Sequence, residues 1–211
     1  MSKLTINTQC KRCRRAGEKL FLKGEKCQSG KCILVKRNFP PGAHGANKKP
    51  QRLTNYGKQL LEKQKAKRIY GLRERQFKNY FEQALKKTGN TSDWLFKFLE
   101  SRLDNTVYRL GFAPSRRQAR QLVSHGHFII NGKKVDIPSY QIKAGELIAL
   151  KPRSQKLPAF SELASKLEKA ATPPWLSLQA QELSAKVIGQ PKIGEVAVNV
   201  DWRVIIEFYS K

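Results

Sequence analysis

The sequence predicts an α+β protein: an N-terminal cysteine knuckle and helical domain, a helix-turn-helix-like module with antiparallel β-hairpins, and a mixed α/β C-terminal segment. Three observations predict it. All four cysteines of the 211 residues lie between positions 10 and 32. Apolar side chains then recur at helical spacing from about residue 54 to residue 123. Finally, Asn131-Gly132 sits between two short strand-like runs, the strongest short-range hairpin signal.

The cysteines are spaced Cys10-x2-Cys13-x13-Cys27-x4-Cys32, two short pairs separated by a loop. Each short spacing lets one tight turn aim two sulfurs at a point, and two such turns complete a tetrahedral set of thiolates. Zinc suits that donor set, and a cubane iron–sulfur cluster would use the same four ligands. Eight Lys and Arg lie among the cysteines against Glu18 and Glu25 alone. Cations there lower thiol pKa values and offset the charge of four thiolates on a divalent ion. His44 could stand in as a ligand, although its place in the following connector favours phosphate or water.

Residues 38–52, "NFPPGAHGANKKPQR", hold three prolines and two glycines and read as an extended connector. A basic helix follows, capped by Thr54 and stopped by Gly71. The next, over about residues 73–87, places Phe77, Tyr80, Phe81, Ala84 and Leu85 on one stripe suited to core packing. "TSDWLFKFLESRLDNTVYRLG" reads as one helix from Ser92 or Asp93 to Gly111, with Leu95, Leu99, Leu103 and Val107 on its buried side. A short helix opens with the capping-box spacing of Ser115 and Gln118 and ends at Gly126. At about 100° per residue, Arg116, Arg117 and Arg120 fall on one arc of it and Ala119, Leu122 and Val123 on another. "FIINGKKV" predicts a hairpin and "QIKAGELIAL" a further strand, turn and strand. Beyond Pro158 a helical stretch gives way to strand-like "WLSL", "EVAVNV" and "VIIEFY". The chain is thus expected to divide into a zinc-binding basic arm (1–50), a helical domain (51–93), a compact α+β module (94–150), for which charge and resemblance below add RNA binding, and a C-terminal helix and strands packing on the body (151–211).

Charge narrows the partner. With 42 Lys and Arg against 16 Asp and Glu, net +26, a compact chain repels itself unless a polyanion neutralises it. Residues 1–50 carry 13 basic and 2 acidic side chains, whereas residues 151–211 carry 9 and 6. A merely solvated face would mix its signs, so the first half points to nucleic acid. No apolar run approaches the roughly 18 residues of a membrane span. "MSKLTINTQCKRCRR" also lacks the apolar core of a secretory signal, so the expectation is a cytoplasmic protein with no membrane partner. No enzyme signature is present: the Gly24 to Lys31 spacing fails as a phosphate loop, and no Gly-x-Ser-x-Gly elbow or zinc-protease helix occurs.

"LESRLDNTVYRLGFAPSRRQARQLVSHGHFIINGKKVDIPSY" closely resembles the RNA-binding module named after small-subunit ribosomal protein four. "KCILVKRNFPPGAHG", "KQKAKRIYGLRERQF" and the terminal "VIIEFYSK" are similar, in matching order, to other segments of that bacterial ribosomal family. The resemblance implies a non-enzymatic, primary small-subunit ribosomal RNA binder that nucleates assembly at a junction in the 5′ domain and influences decoding accuracy. It also implies contact with small-subunit ribosomal protein five, and with messenger RNA near its entry. Some members carry a four-cysteine zinc site, and Cys10, Cys13, Cys27 and Cys32 place this chain with them. The expected RNA-binding residues are Arg14, Arg15, Lys23, Arg37, His44, Lys48, Lys49, Arg52, Lys58, Lys65, Arg68 and Arg73 in the basic half. In the module they are Arg116, Arg117, Arg120, His125, Lys133 and Lys134, and His125 and His127 are read as hydrogen-bonding groups, not catalysts.

Overall fold

A computed structural model describes residues 5–47, 52–168 and 170–210. The chain divides into two units, Met1–Phe77 with Asn199–Lys211, and Lys78–Val198. No helix among the described residues is long and apolar enough to cross a membrane.

In the first unit, α1 (Thr5–Ala16) carries Cys10 and Cys13 one helical turn apart. Two single-turn helices, α2 (Glu25–Gln28) and α3 (Ile33–Lys36), carry Cys27 and begin at Cys32, respectively. Arg14 on α1 ties down the connector, donating through Nε to the Phe39 carbonyl at 2.8 Å and through a terminal nitrogen to that of Pro40 at 3.0 Å. A Cβ at Gly45 would occupy the space of the Pro40 carbonyl oxygen, so only glycine permits this return of the chain. The basic helix α4 (Asn55–Ile69) starts where the Thr54 hydroxyl accepts the Gly57 amide proton at 3.1 Å, as its cap spacing predicts. The boundary between the units falls inside α5 (Glu74–Leu85), whose stripe buries Phe77, Phe81 and Ala84 and leaves Leu85 exposed.

After α5 the second unit continues with α6 (Thr91–Glu100) and α7 (Leu103–Arg109), where the sequence predicts a single helix. The break lies at Ser101 and Arg102. Leu103 and Asp104 donate their amides to the carbonyls of Tyr140 and Pro138 at 2.9 and 3.1 Å, and the Ile142 amide returns to Ser101. These distant partners replace the helical ladder, and "QIK" contributes a lone bridge between Gln141 and Arg102 in place of the expected strand. The helix α8 (Arg116–Ser124) is capped by Ser115, whose hydroxyl accepts the Gln118 amide proton. In the hairpin of β1 (Phe128–Ile130) and β2 (Lys133–Lys134), Asn131 and Gly132 take φ of 48° and 80°, the two left-handed residues of a type I′ turn.

Next come β3 (Leu147–Leu150), the short helix α9 (Pro152–Gln155), a 3-10 turn (Pro158–Phe160), α10 (Leu163–Glu168), β4 (Leu176–Gln179) and β5 (Ser184–Val187). The five strands form one antiparallel sheet in the order β2-β1-β3-β5-β4. Two strands of the C-terminal segment therefore extend the sheet of the central module. Leu103, Val107, Ala119, Val123, Phe128, Ile148 and Leu150 meet in the core on that sheet. A Leu→Ala change at such a site typically costs about 2–5 kcal/mol.

The chain then returns to the first unit as α11 (Trp202–Tyr209), a helix where a strand is expected from "VIIEFY", and residues 195–200 form no strand either. Asp201 caps α11 by accepting the amide protons of Arg203 and Val204. The helix lies on α4, with Tyr56 and Phe208 rings 5.8 Å apart and Gln59 donating to Glu207 at 3.1 Å. Lys63 Nζ sits 4.4 Å from the Phe208 ring centroid and 2.7 Å from Glu74.

Candidate nucleic-acid interface

The cysteines come first along the chain. All four are free thiols, with Cys13, Cys27 and Cys32 buried and Cys10 half-buried. They share one neighbourhood. Burial raises the Cys13 thiol pKa, a hydrogen bond from the Leu20 backbone opposes that, and the charges of Cys27, Cys10 and Cys32 raise it further. The Lys23 amide donates to Cys27 Sγ at 3.3 Å. Among the described residues no three or more His, Cys, Asp or Glu side chains are grouped closely enough to hold a metal. Four thiol donors beside cations have the chemistry for zinc, and the fit rests on that donor chemistry alone, not on their grouping.

Beside them lies a concentration of like charge. The Arg68 guanidinium has its pKa lowered by burial and then by the guanidiniums of Arg12 and Arg15, with Cys13 pulling the other way. Guanidiniums that repel one another in this way would be relieved by an anion. Arg15, Arg37, His44, Arg52, Lys58 and Arg73 are exposed, while Arg14 and Lys23 are half-buried. Lys48 and Lys49 lie outside the described residues. Lys65 departs from its expected role: it is 6 % exposed, and its ammonium bridges Glu62 at 2.8 Å and Glu18 at 3.0 Å. It ties α4 to the segment after α1, so it leaves the set of RNA-facing residues.

In the second unit the helix pair rests on two buried carboxylates, Asp104, an acid local to these arginines, and Glu100, which the sequence reading missed. Glu100 is fully buried and accepts from Arg109 Nε at 2.9 Å, from a terminal Arg109 nitrogen at 2.8 Å and from Asn105 at 2.8 Å. Arg116 lies 3.9 Å from the same carboxylate, donates to Asn105 Oδ1 at 2.7 Å, and stacks 4.4 Å above the Tyr108 ring. Asp104 takes a two-pronged bond from the buried Arg102, at 3.0 and 2.7 Å, and stands 4.0 Å from Arg120. Arg102 also donates to the Tyr80 hydroxyl. The one available signal was Glu100 itself, an acid four residues after the buried Phe96 and so on the apolar side of its helix.

Of the three arginines on α8, Arg117 is exposed, Arg120 part-exposed and Arg116 turned inward, while Ala119 and Val123 are fully buried and Leu122 only partly. Lys133, Lys134 and His125 are exposed, with the Lys134 side chain lying over Gly126 at the end of α8 and 3.2 Å from Asp136. His127 stands 2.9 Å from Ser154 Oγ. Its pKa is lowered by burial and by the charges of His125 and Lys151, which keeps it neutral. Arg117, Arg120, Lys133 and Lys134 thus give the module a cationic outer surface suited to phosphate oxygens.

Comparison with known proteins locates two families along the chain: the ribosomal protein S4/S9 N-terminal domain over residues 5–100, and the S4 domain over residues 101–148. Small ribosomal subunit protein uS4A of Alkaliphilus metalliredigens is 51% identical over 202 residues, covering 96% of each chain. Small ribosomal subunit protein uS4 of Acetivibrio thermocellus is 52% identical over 205 residues, again 96% of each chain. That of Caldicellulosiruptor saccharolyticus is 49% identical over 206 residues and 98% of each.

Proposed function

The chain belongs to the ribosomal protein S4 family, and on that premise we propose that it is a structural constituent of the small ribosomal subunit that binds its ribosomal RNA. Similarity at about half identity over 96% of the chain carries this reading. The cations around Arg68 and the outer face of α8 supply the chemistry, since released counterions dominate such binding. It acts without catalysis, as a primary binder that nucleates assembly at a junction in the 5′ domain and contributes to decoding accuracy, in the cytoplasm. Sedimentation of a native lysate tests the assignment. The protein should co-migrate with small subunits, and its presence only in the ribosome-free fractions would overturn the reading.

Three finer statements belong to the same proposal. Cys10, Cys13, Cys27 and Cys32 would hold a zinc ion, which when bound supplies structural cross-linking and no reactivity. The paired spacing of the four cysteines, the influence of Cys27, Cys10 and Cys32 on the Cys13 thiol, and the surrounding cations support it. Elemental analysis should find about one zinc per chain, as one tetrahedral site requires, and Cys27→Ala should lose it. Iron with visible absorption would assign a cluster instead. Contacts with small-subunit ribosomal protein five and with messenger RNA near its entry follow from the family resemblance, and cross-linking within intact subunits would find or exclude them.

A further inference from the structure

A recess outside every contact described so far lies in the second unit, between the first turns of α6 and residues 190–193. Its volume is about 460 Å3, and Asp93, Trp94, Lys97, Pro191, Lys192 and Ile193 line it. Three features make it unlike ordinary surface. Trp94 is fixed in place, its indole N–H donating to the Thr88 carbonyl at 2.8 Å. Lys97 Nζ lies 3.9 Å from the centroid of that indole and Lys87 Nζ 5.8 Å. Among the described residues, no ion pair involves Lys87, Lys97 or Lys192.

Elsewhere in this unit a cation near the core meets a carboxylate, as Arg102 and Arg109 do. Here two ammoniums share one indole, and the Lys97 pKa falls through burial and then through the charge of Lys87. An arriving anion would relieve both effects. The apolar side is supplied by the indole, by the buried Pro191 and by Ile193, which is 44% exposed. An indole with Lys97 over one face and lysines that form no ion pair resembles the arrangement that single-stranded nucleic acid uses, bases on the ring and phosphates on the cations. A protein helix would need a longer apolar stripe than one Trp, one Pro and one Ile provide.

We propose that this recess takes one unstacked nucleotide of the bound RNA, its base against Trp94, Pro191 and Ile193 and its phosphate on Lys97 and Lys192. Asp93, at the start of α6, accepts from an amino group on the base edge. The proposal rests on the RNA-binding reading above and adds to it a contact separate from α8 and from the basic arm.

The molecule carries its own probe. Trp175 and Trp202 are 4% and 5% exposed, so Trp94 is the half-buried one of the three tryptophans. The full-length protein is titrated with small-subunit ribosomal RNA, and filter retention and tryptophan emission are read on the same samples. Binding should quench the emission. Trp94→Phe should still retain RNA but lose most of the quench, and Trp94→Ala should weaken retention about fivefold or more, the low end for one stacked base. Lys97→Gln with Lys192→Gln should shrink the quench at equal RNA. Retention without a Trp94 signal overturns the proposal and leaves the RNA-binding reading intact, whereas no retention at all overturns both. A Trp94 signal that appears only when other small-subunit proteins are added assigns the recess to a protein and also overturns it.

Discussion

Around Glu100 the guanidiniums of Arg109 and Arg116 converge on a fully buried carboxylate, whereas the guanidiniums acting on Arg68 are those of Arg12 and Arg15, which repel it. The contrast extends over each unit. Met1–Phe77 with Asn199–Lys211 carries 23 basic and 6 acidic side chains, and Lys78–Val198 carries 19 and 10. The second unit neutralises part of its charge inside itself and surrounds it with an apolar core on a five-stranded sheet. The first keeps an excess that only a polyanion can offset, because a dense like-charged cluster destabilises the compact state. The first unit also pairs Lys63, Lys65 and Lys67 with Glu74, Glu62 and Glu18, but its excess of 17 positive charges against 9 in the second gives it the greater need of a polyanion.

The largest expected effect lies at Glu100. Glu100→Ala removes the carboxylate from between Arg109 and Arg116 and leaves charges unpaired near the core. Urea melts should show a loss of about 3–5 kcal/mol, the range for breaking a buried pair. A loss below about 1 kcal/mol, typical of exposed pairs, would mean that the network is not holding the helix pair.

Next come the two neighbouring arginines of α8. Arg116→Gln should lower stability by about 2 kcal/mol, as expected for a hydrogen bond to a charged group. Arg117→Gln, on an exposed side chain, should leave the melt unchanged and reduce the salt dependence of RNA binding by about one phosphate contact. Equal effects on both melts would erase the distinction between inward and outward arginines. Leu122→Glu should also be milder than Val123→Asp, since Leu122 is partly buried and Val123 fully so.

A smaller effect is expected at the cluster itself. Arg68→Gln relieves repulsion from Arg12 and Arg15, so the RNA-free protein should melt at the same temperature or slightly higher, while RNA affinity falls. A melting point several degrees lower would show that Arg68 is paired within the protein.

The smallest effect concerns acid. Burial would raise the Glu74 carboxyl, but hydrogen bonds from Lys63, Lys67 and Tyr209 outweigh it and hold its pKa down at about 2. A folded-state pKa below the unfolded value of about 4.3 stabilises the protein above that pH, and the contribution disappears as pH falls from about 4 toward 2. Because Glu74 is partly exposed, solvent screens the gain and the change should be modest. Emission from Trp202, which packs near Tyr70 where α11 meets α4, should follow that titration, and Glu74→Gln should flatten it.

Features set by neighbouring residues were legible in the sequence: the Thr54 and Ser115 caps, the Asn131-Gly132 turn, and the stripe of Phe77, Phe81 and Ala84. Features set by distant partners were not. The break after Glu100 exists because backbone groups at 101–104 bond to residues 138–142, and no local pattern records it. The reading of "VIIEFY" as a strand followed its β-branched residues. The competing signal was Asp201 as a cap, with Trp202, Ile205 and Tyr209 spaced for one helical face, and packing on α4 decided the outcome. At the candidate interface the basic composition was plain, but sequence could not separate a cation facing RNA from one facing Glu100, Glu62 or Glu18. Lys65 and Arg116 are buried or turned inward for that reason.

Native-state hydrogen exchange on the full chain, with and without small-subunit ribosomal RNA, tests the division between the units most directly. Without RNA, the amides of α7, α8, β1 and β3 should already be strongly protected and those of residues 9–47 weakly. RNA should add protection mainly to residues 9–47 and α4, and only slightly to the sheet. Equal gains in both units, or a gain confined to Lys78–Val198, would contradict a second unit that neutralises more of its own charge beside a first unit that depends more on RNA.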